Sequence, residues 1–330
     1  MTTDASFLVP DLHRLLALLK THDERRADAI AARIARAKAE DGGHPGEWAA
    51  LCARLGVTQG GQMPPATITY QYDFQSTPAR PVLRADPVYL RADPSRLVLF
   101  SSRHLGVEAD EADEYIASLN AVFESDGLRF FRNPGGERWY VEGEDLPALD
   151  IEACYELDGE VLEPDFSDRQ EMGSLKTVLT EVQMLLHSHD ANQRRDARGL
   201  PPVNSVWFCG GGTVEGTVSD RISALFSDDA DIVAAASGLG VQQVIHAASD
   251  DASQRVSKGA LVVLCNKDAD AASQFASLFE QALSALDRGE LAAIRVADRS
   301  RQYTLTRNQR WRLWRRASHF WQSVQVATHP

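Results

Sequence analysis

The sequence predicts an α/β fold: a mainly parallel sheet with helices on both faces, preceded by an N-terminal helical module. Two observations carry this. In the second half, apolar runs VNSVWFC (203–209), VQQVI (241–245), ALVVLC (260–265) and AAIRVA (292–297) alternate with helical stretches at Ser174–His187 and Ala271–Leu286. Near the start, leucines 12, 15, 16 and 19 and isoleucines 30 and 34 recur at helical spacing around the polar break THDERR.

Taken in order, residues 11–39 read as one or two amphipathic helices and DGGHPGE (41–47) as a turn. Glu47–Leu55 reads as a short helix and GVTQGGQMPP (56–65) as a linker, so residues 1–60 are expected to form a helical module. From Ala66 the pattern turns to strands: TITYQYDF alternates, LVLF (97–100) is a short apolar run, and RFFRN and RWYVEG flank a PGG turn. Ala109–Asn120 reads as a helix, and Asp126-Gly127 as a turn. R-A-D-P occurs twice, at 84–87 and 91–94, and Arg84, Asp86, Arg91 and Asp93 are expected to make turns and surface pairs. Residues 66–165 thus form an expected α+β region with a hairpin, and 166–297 an α/β core. The boundary near 165 rests on the change of rhythm alone. QYTLT (302–306) is a last strand, inside a basic tail at 298–330.

Composition excludes several classes. The 330 residues are 44% hydrophobic and 25% charged, ordinary for a globular chain and not for a disordered one. No apolar run approaches the roughly 18 residues that cross a bilayer. The start lacks the basic residues and cleavage site of a signal peptide. Cys52, Cys154, Cys209 and Cys265 include no C-x-x-C pair, which argues against a disulfide framework or structural zinc and for a reducing, cytoplasmic setting. The net charge is −13, yet residues 295–316 carry eight arginines against one acid. The rest of the chain is therefore strongly acidic and disfavours a polyanion everywhere except at this patch.

The information sits in HSHDANQRRDARGLPPVNSVWFCGGG (187–212). A helix ends in an Arg-rich loop, a proline pair stops it, and a strand runs into three glycines. Glycines after a strand let backbone approach a ligand, and arginines offer bidentate contacts to phosphate. His189, Asn192, Arg195, Asn204, Gly210, Gly211 and Gly212 can thus line a pocket for a small anion or phosphate ester. A tight turn with solvated arginines explains the same residues, and the loop fits no Walker or dinucleotide spacing.

This stretch resembles archaeal-type cofactor-independent phosphoglycerate mutases, whose pattern runs H-P-x-N-x-x-R-x-x-x-G-x-x-P-x-N-x-x-W-x-W-G-x-G. His189, Asn192, Arg195, Gly199, Pro202, Asn204, Trp207, Gly210 and Gly212 stand where the pattern puts them. The lead-in LKTVLTEVQMLLH is similar to that of proteobacterial proteins known as phosphoglycerate mutase or Rpf-type regulatory protein. The resemblance covers roughly 80–297, is sharp at 175–212, and implies a reduced alkaline-phosphatase-like fold.

It also implies what should be present for catalysis. Those enzymes use two metals and a phosphorylated serine, held by Asp and His at strand ends. Here position 190 is aspartate where the pattern has proline, and 209 is cysteine where it has tryptophan. The first sixty residues read as helical, with no D-G-x-x-D after a strand, and ALVVLC leads to Asp268 and Asp270 without a histidine. His187 and His189 are two apart and share no helical face as a metal pair; His246 reads as a hydrogen-bonded strand-end residue. Ser174 and Ser205 lack a partner base, and Cys209 reads as a buried structural thiol.

The tail TRNQRWRLWRRASHFWQ interleaves arginine with tryptophan and reads as an amphipathic helix. Arg310, Trp311, Arg312, Trp314, Arg315 and Arg316 offer a nucleic-acid or partner surface, or pack on the body with their arginines meeting its acids. The expected function is a noncatalytic regulatory or ligand-binding protein that binds a small anion at the 187–212 loop, needs no cofactor and has a protein partner. Two alternatives stand beside it: an active mutase or phosphatase using manganese or zinc, and a nucleic-acid-associated protein acting through the tail.

Overall fold

The strand that organises the molecule is the first. In this computed structural model, β1 (Asp4–Leu8) lies inside a seven-stranded sheet rather than ahead of a helical module. The structure describes residues 4–41, 55, 65–93, 96–149, 151–162, 172–212, 222–241, 243–246, 256–265, 268–312 and 314–327. The expected helix at Glu47–Leu55 and linker at 56–65 lie outside these, apart from Leu55 and Pro65, as does Cys52.

In chain order β1 is followed by α1 (Leu12–His22), α2 (Glu24–Ala35), β2 (Lys38–Asp41) and α3 (Pro65–Phe74). Next come β3 (Val82–Asp93), β4 (Arg96–Phe100), α4 (Ser102–Leu105), α5 (Ala109–Phe123), β5 (Arg129–Arg132), β6 (Trp139–Glu142) and β7 (Val161–Leu162). Then α6 (Leu175–His187), α7 (Asp190–Ala197), β8 (Ser205–Cys209), β9 (Ala224–Ser227), α8 (Ala230–Gly238) and β10 (Val244–His246). The chain ends with β11 (Ala260–Val263), α9 (Ala269–Arg288), β12 (Ala293–Ala297), β13 (Arg301–Thr306) and α10 (Ala317–Ala327).

Two compact units result, and neither follows the expected boundaries. One joins residues 1–57 to 217–330; the other is 58–216. The change of rhythm near 165 marks no division, because the motif strand β8 belongs with the region before it: Arg84–Val88 of β3 pair antiparallel with Ser205–Cys209.

The first unit carries the mainly parallel sheet, in order β10-β9-β11-β1-β12-β13-β2. The strands from β10 to β12 run parallel, and β13 and β2 are antiparallel additions. Alternation puts Phe7, Val262 and Ile294 into one core with Leu12, Leu16, Ile30, Phe275 and Phe279 of α1, α2 and α9. Leu8, Leu261 and Val263 point to the other face and are buried too, as a sheet covered on both sides requires. Shortness hid β1: in DASFL polar and apolar residues alternate over only four positions before Leu8, too few to stand out as a strand.

The second unit is an antiparallel sheet, in order β5-β6-β3-β4-β7 with β8 against β3. Its core packs Leu119 and Phe123 of α5 and Leu179, Val182 and Leu186 of α6 on Phe130, Trp139 and Phe208. Asp126-Gly127 makes the expected turn, with Gly127 at φ 78°.

Three local expectations are overturned here. The first R-A-D-P makes no turn: it lies within β3, where Arg84 and Asp86 are 2% and 1% exposed and joined at 2.8 Å, whereas Arg91 and Asp93 of the second copy are exposed at the end of β3, with Asp93 paired to Arg96 of β4. TITYQYDF is helix α3, because its helical spacing also works: the Tyr70 and Phe74 rings pack at a tilt, 4.6 Å apart, and Thr69 and Asp73 both meet the Tyr140 hydroxyl. A second buried pair, Arg138–Asp73 at 2.6 Å, fixes that helix to β6. In the tail the helix begins only at Ala317, after a 3-10 turn at Arg307–Trp311. Among the described residues no helix is long and apolar enough to cross a membrane.

Candidate functional site

The motif residues come together around α7, and their polar atoms point into the protein. Asn192 Oδ1 accepts from the Tyr115 hydroxyl at 2.7 Å and Val203 N–H at 2.9 Å. Its Nδ2 donates to the carbonyls of Leu186 and Val203, both at 2.8 Å. Two accepted and two donated bonds are all an amide can make. Burial pushes the Tyr115 phenol well above its ordinary range, so it stays a donor.

Arg195 is fully buried at 0% exposure. Its Nε donates to Pro201 O at 2.7 Å, Nη1 to the Glu111 carboxylate at 2.7 Å, and Nη2 to Leu105 O. One guanidinium thereby ties the proline pair, α4 and α5 together. Asn204 accepts from Leu90 N–H at 2.8 Å and donates to Leu90 O at 2.9 Å. Its side chain continues the β3–β8 ladder one step past Ser205, as a strand backbone would.

His189 caps α7. Its Nδ1 accepts from Ala191 N–H at 3.1 Å, so its proton sits on Nε2, 2.9 Å from Ser118 Oγ. The glycines serve packing. A Cβ at Gly211 would lie 2.4 Å from Leu83 Cδ2 and 2.7 Å from Pro147 O. Gly210 (φ 73°) accepts from Ala66 N–H at 3.1 Å, and the Gly212 carbonyl accepts from Thr67 Oγ1 at 2.7 Å. The close backbone approach that the glycines permit is to Leu83 and the start of α3. What the loop leaves open is the outer side of α7, where Gln193 and Arg198 are exposed and Arg194 pairs with Glu114.

The other sequence candidates divide cleanly. His187 is exposed beside an open groove of about 630 Å³, lined by Leu90, Leu97, Leu179 and Met184 together with Thr180, Gln183 and Asn204. Ser205 is buried and accepts from Gln183 Nε2 at 3.2 Å. Cys209 is a buried thiol in no disulfide, as are Cys154 and Cys265. His246 ends β10.

The parallel sheet has its own chemistry, which the sequence reading missed with β1. Asp11 and His13 follow β1, Asp228 and Asp229 follow β9, Asp268 follows β11, and Asp298 follows β12. This carboxyl edge is where open α/β sheets bind ligands. Most of these acids hold backbone: Asp229 caps α8, Asp268 caps α9, and Asp228 accepts from Cys265 N–H at 3.0 Å. Asp298 Oδ1 takes Ser300 N–H, Ser300 Oγ and Arg301 N–H at 2.6–3.0 Å. Its Oδ2 is buried without a hydrogen bond, 3.9 Å from His13 Nδ1, and His13 Nε2 and the Tyr303 hydroxyl are likewise unmatched. Among the described residues, no three His, Cys, Asp or Glu side chains stand together as metal ligands, so these residues do not fit a two-metal cage.

Burial lowers the pKa of both His13 and His189 below the usual 6.5, only partly offset by Asp298 and by Glu114. The unfolded chain therefore binds protons that the folded chain resists. Stability is expected to be full above the unfolded value near 6.5 and to fall as pH drops below it, flattening beneath the folded pKa. Urea unfolding at pH 5, 6 and 7.5 reads this. His189→Gln and His13→Gln should each reduce the slope, and an unchanged slope in both contradicts the assignment.

No family model matches the chain. Over 119 residues it is 28% identical to 2,3-bisphosphoglycerate-independent phosphoglycerate mutase 2 of Methanothermobacter thermautotrophicus, covering 36% of this chain and 29% of that one. The chain therefore matches under a third of that relative's length. Among solved structures, the PH0037 protein from Pyrococcus horikoshii aligns over 92% of this chain and 87% of its own, with TM-score 0.50 and 11% identity. Cofactor-independent phosphoglycerate mutase from Thermoplasma acidophilum aligns over 93% and 90%, with TM-score 0.41 and 14% identity. The chain shares its α/β fold with the PH0037 protein and bears a distant sequence resemblance to cofactor-independent phosphoglycerate mutases.

Proposed function

We propose that this chain is a noncatalytic regulatory or ligand-binding protein built on a phosphoglycerate-mutase-like scaffold. One observation carries the reading. The motif that most resembles the mutases is engaged in bracing: Asn192, Arg195 and Asn204 direct their polar atoms to neighbouring backbone and side chains. A small anion or phosphate ester at the 187–212 loop would have to use Arg198, Gln193 and the outer side of α7. The proteobacterial kinship and the regulatory role belong to the same proposal.

The competing enzyme reading draws on Asp11, which follows a true strand, and on the acids at the ends of β9 and β12. Elemental analysis of the purified chain, with mutase and phosphatase assays in added manganese and zinc, decides between them. The expected result is no stoichiometric metal and no turnover. About two metals per chain, with turnover that chelation abolishes, would replace this reading with the enzyme.

A further inference from the structure

The tail divides in a way that neither its helical pattern nor its charge foretold. The aromatic residues that open its helix are already packed. Phe320 is 2% exposed and its ring stacks 4.5 Å from His13, Trp321 Nε1 donates to Asp28 at 2.9 Å, and Lys20 lies over the Trp321 ring. Trp311 and Trp314 are not part of that packing. They are 65% and 70% exposed, on the 3-10 turn and the bend after it. Indoles are seldom left so open, because each carries a large apolar surface that water solvates poorly.

Arginines flank them in the sequence. Arg307, Arg315 and Arg316 are exposed, and the segment is fixed from behind: Arg315 Nη1 donates to Ala35 O at 3.2 Å, and Arg36 Nε to Arg315 O at 3.4 Å. The segment is therefore held in place on α2.

Charge division strengthens the case. Residues 58–216 hold 13 Lys and Arg against 27 Asp and Glu, whereas the unit bearing the tail holds 21 against 20. The chain's acidity belongs to the other unit. Without the patch's own eight arginines and one acid that unit holds 13 against 19, so the acidic charge opposing a polyanion there is −6, less than half of the −14 on residues 58–216.

We propose that Trp311 and Trp314, flanked by Arg307, Arg315 and Arg316, form a binding site for single-stranded nucleic acid. Each indole offers a flat face for a splayed base, and the guanidiniums meet the phosphates between. An acidic peptide would satisfy the arginines but leave both indoles uncovered. A membrane would draw on the aromatic side chains of α10, and Phe320 and Trp321 are already engaged with His13, Asp28 and Lys20.

The test uses the full chain and fluorescein-labelled oligo(dT) and oligo(U) of about 20 nucleotides, read by anisotropy at several salt concentrations. Binding should weaken steeply with salt, by about 0.7 in the log–log slope per phosphate contacted. Trp311→Ala with Trp314→Ala should weaken it by at least about fivefold for each stacked base. Arg307→Gln with Arg316→Gln should weaken it and flatten the slope. Both pairs lie at the surface, so unchanged thermal melting confirms that the fold is intact. No binding at low salt, or binding indifferent to the tryptophan pair, overturns the proposal. So does a tryptophan-dependent self-association or vesicle binding in place of oligonucleotide binding.

Discussion

Replacing Arg195 by methionine is expected to destabilise the protein by about 3–5 kcal/mol, the range for breaking a buried ion pair from one side. The loss has three parts. The Glu111 carboxylate keeps its charge in a half-dry site, and the carbonyls of Leu105 and Pro201 lose their donor. Lysine should not rescue it, since one ammonium cannot span acceptors on α4, α5 and the proline loop. Urea unfolding measures the change. The outcome separates two roles for the motif: a brace loses stability, whereas a ligand-binding arginine loses affinity and leaves the unfolding midpoint in place. A loss below about 1 kcal/mol would return Arg195 to the second role.

Phe7→Ala should cost a similar amount, about 3–5 kcal/mol, by opening a cavity at the centre of the parallel sheet. Phe7 is 0% exposed and packs edge-on against Phe275 and Phe279 at 6.1 and 5.5 Å. The reading predicts hydrogen-exchange protection lost first in peptides from β1, β11 and β12, the strands that meet at this ring. Retained protection there, with loss confined to helix ends, would mean that α9 collapses into the gap and the ring matters less than its burial implies.

The sequence made some elements plain and concealed others for identifiable reasons. Helices α1, α2, α5, α6 and α9 showed because each has one apolar stripe, and α9 adds an Asp268 cap and Gly289 at its end. The hairpin β5–β6 showed through its PGG turn. Strand β3 was hidden by its own charges. Arg84 and Asp86 satisfy each other inside the sheet, and a pair that neutralises itself reads in one dimension as surface. The site was half legible. The motif located a dense polar cluster correctly, but residue types cannot say which way an amide or guanidinium points. Asn192 and Arg195 suit a phosphate as well as they suit Val203 O and Pro201 O. Asp268 was read at the end of its strand, but Asp11 and His13 were not, because β1, the strand that brings them there, did not look like one.

The placement of β1 has a consequence for how the chain is made. Asp4 pairs with Ala293 and Ser6 with Leu261, so both edges of the central strand wait for residues made 289 and 255 positions later. At roughly 5–20 residues per second, the wait is about 15–60 s. Meanwhile residues 58–216 emerge whole and have every strand their own sheet requires. A nascent chain of this protein therefore trails a finished acidic unit behind an unpaired apolar strand. A ribosome that stalls before Ala297 leaves that strand without β12, exposed to any other edge that will take it.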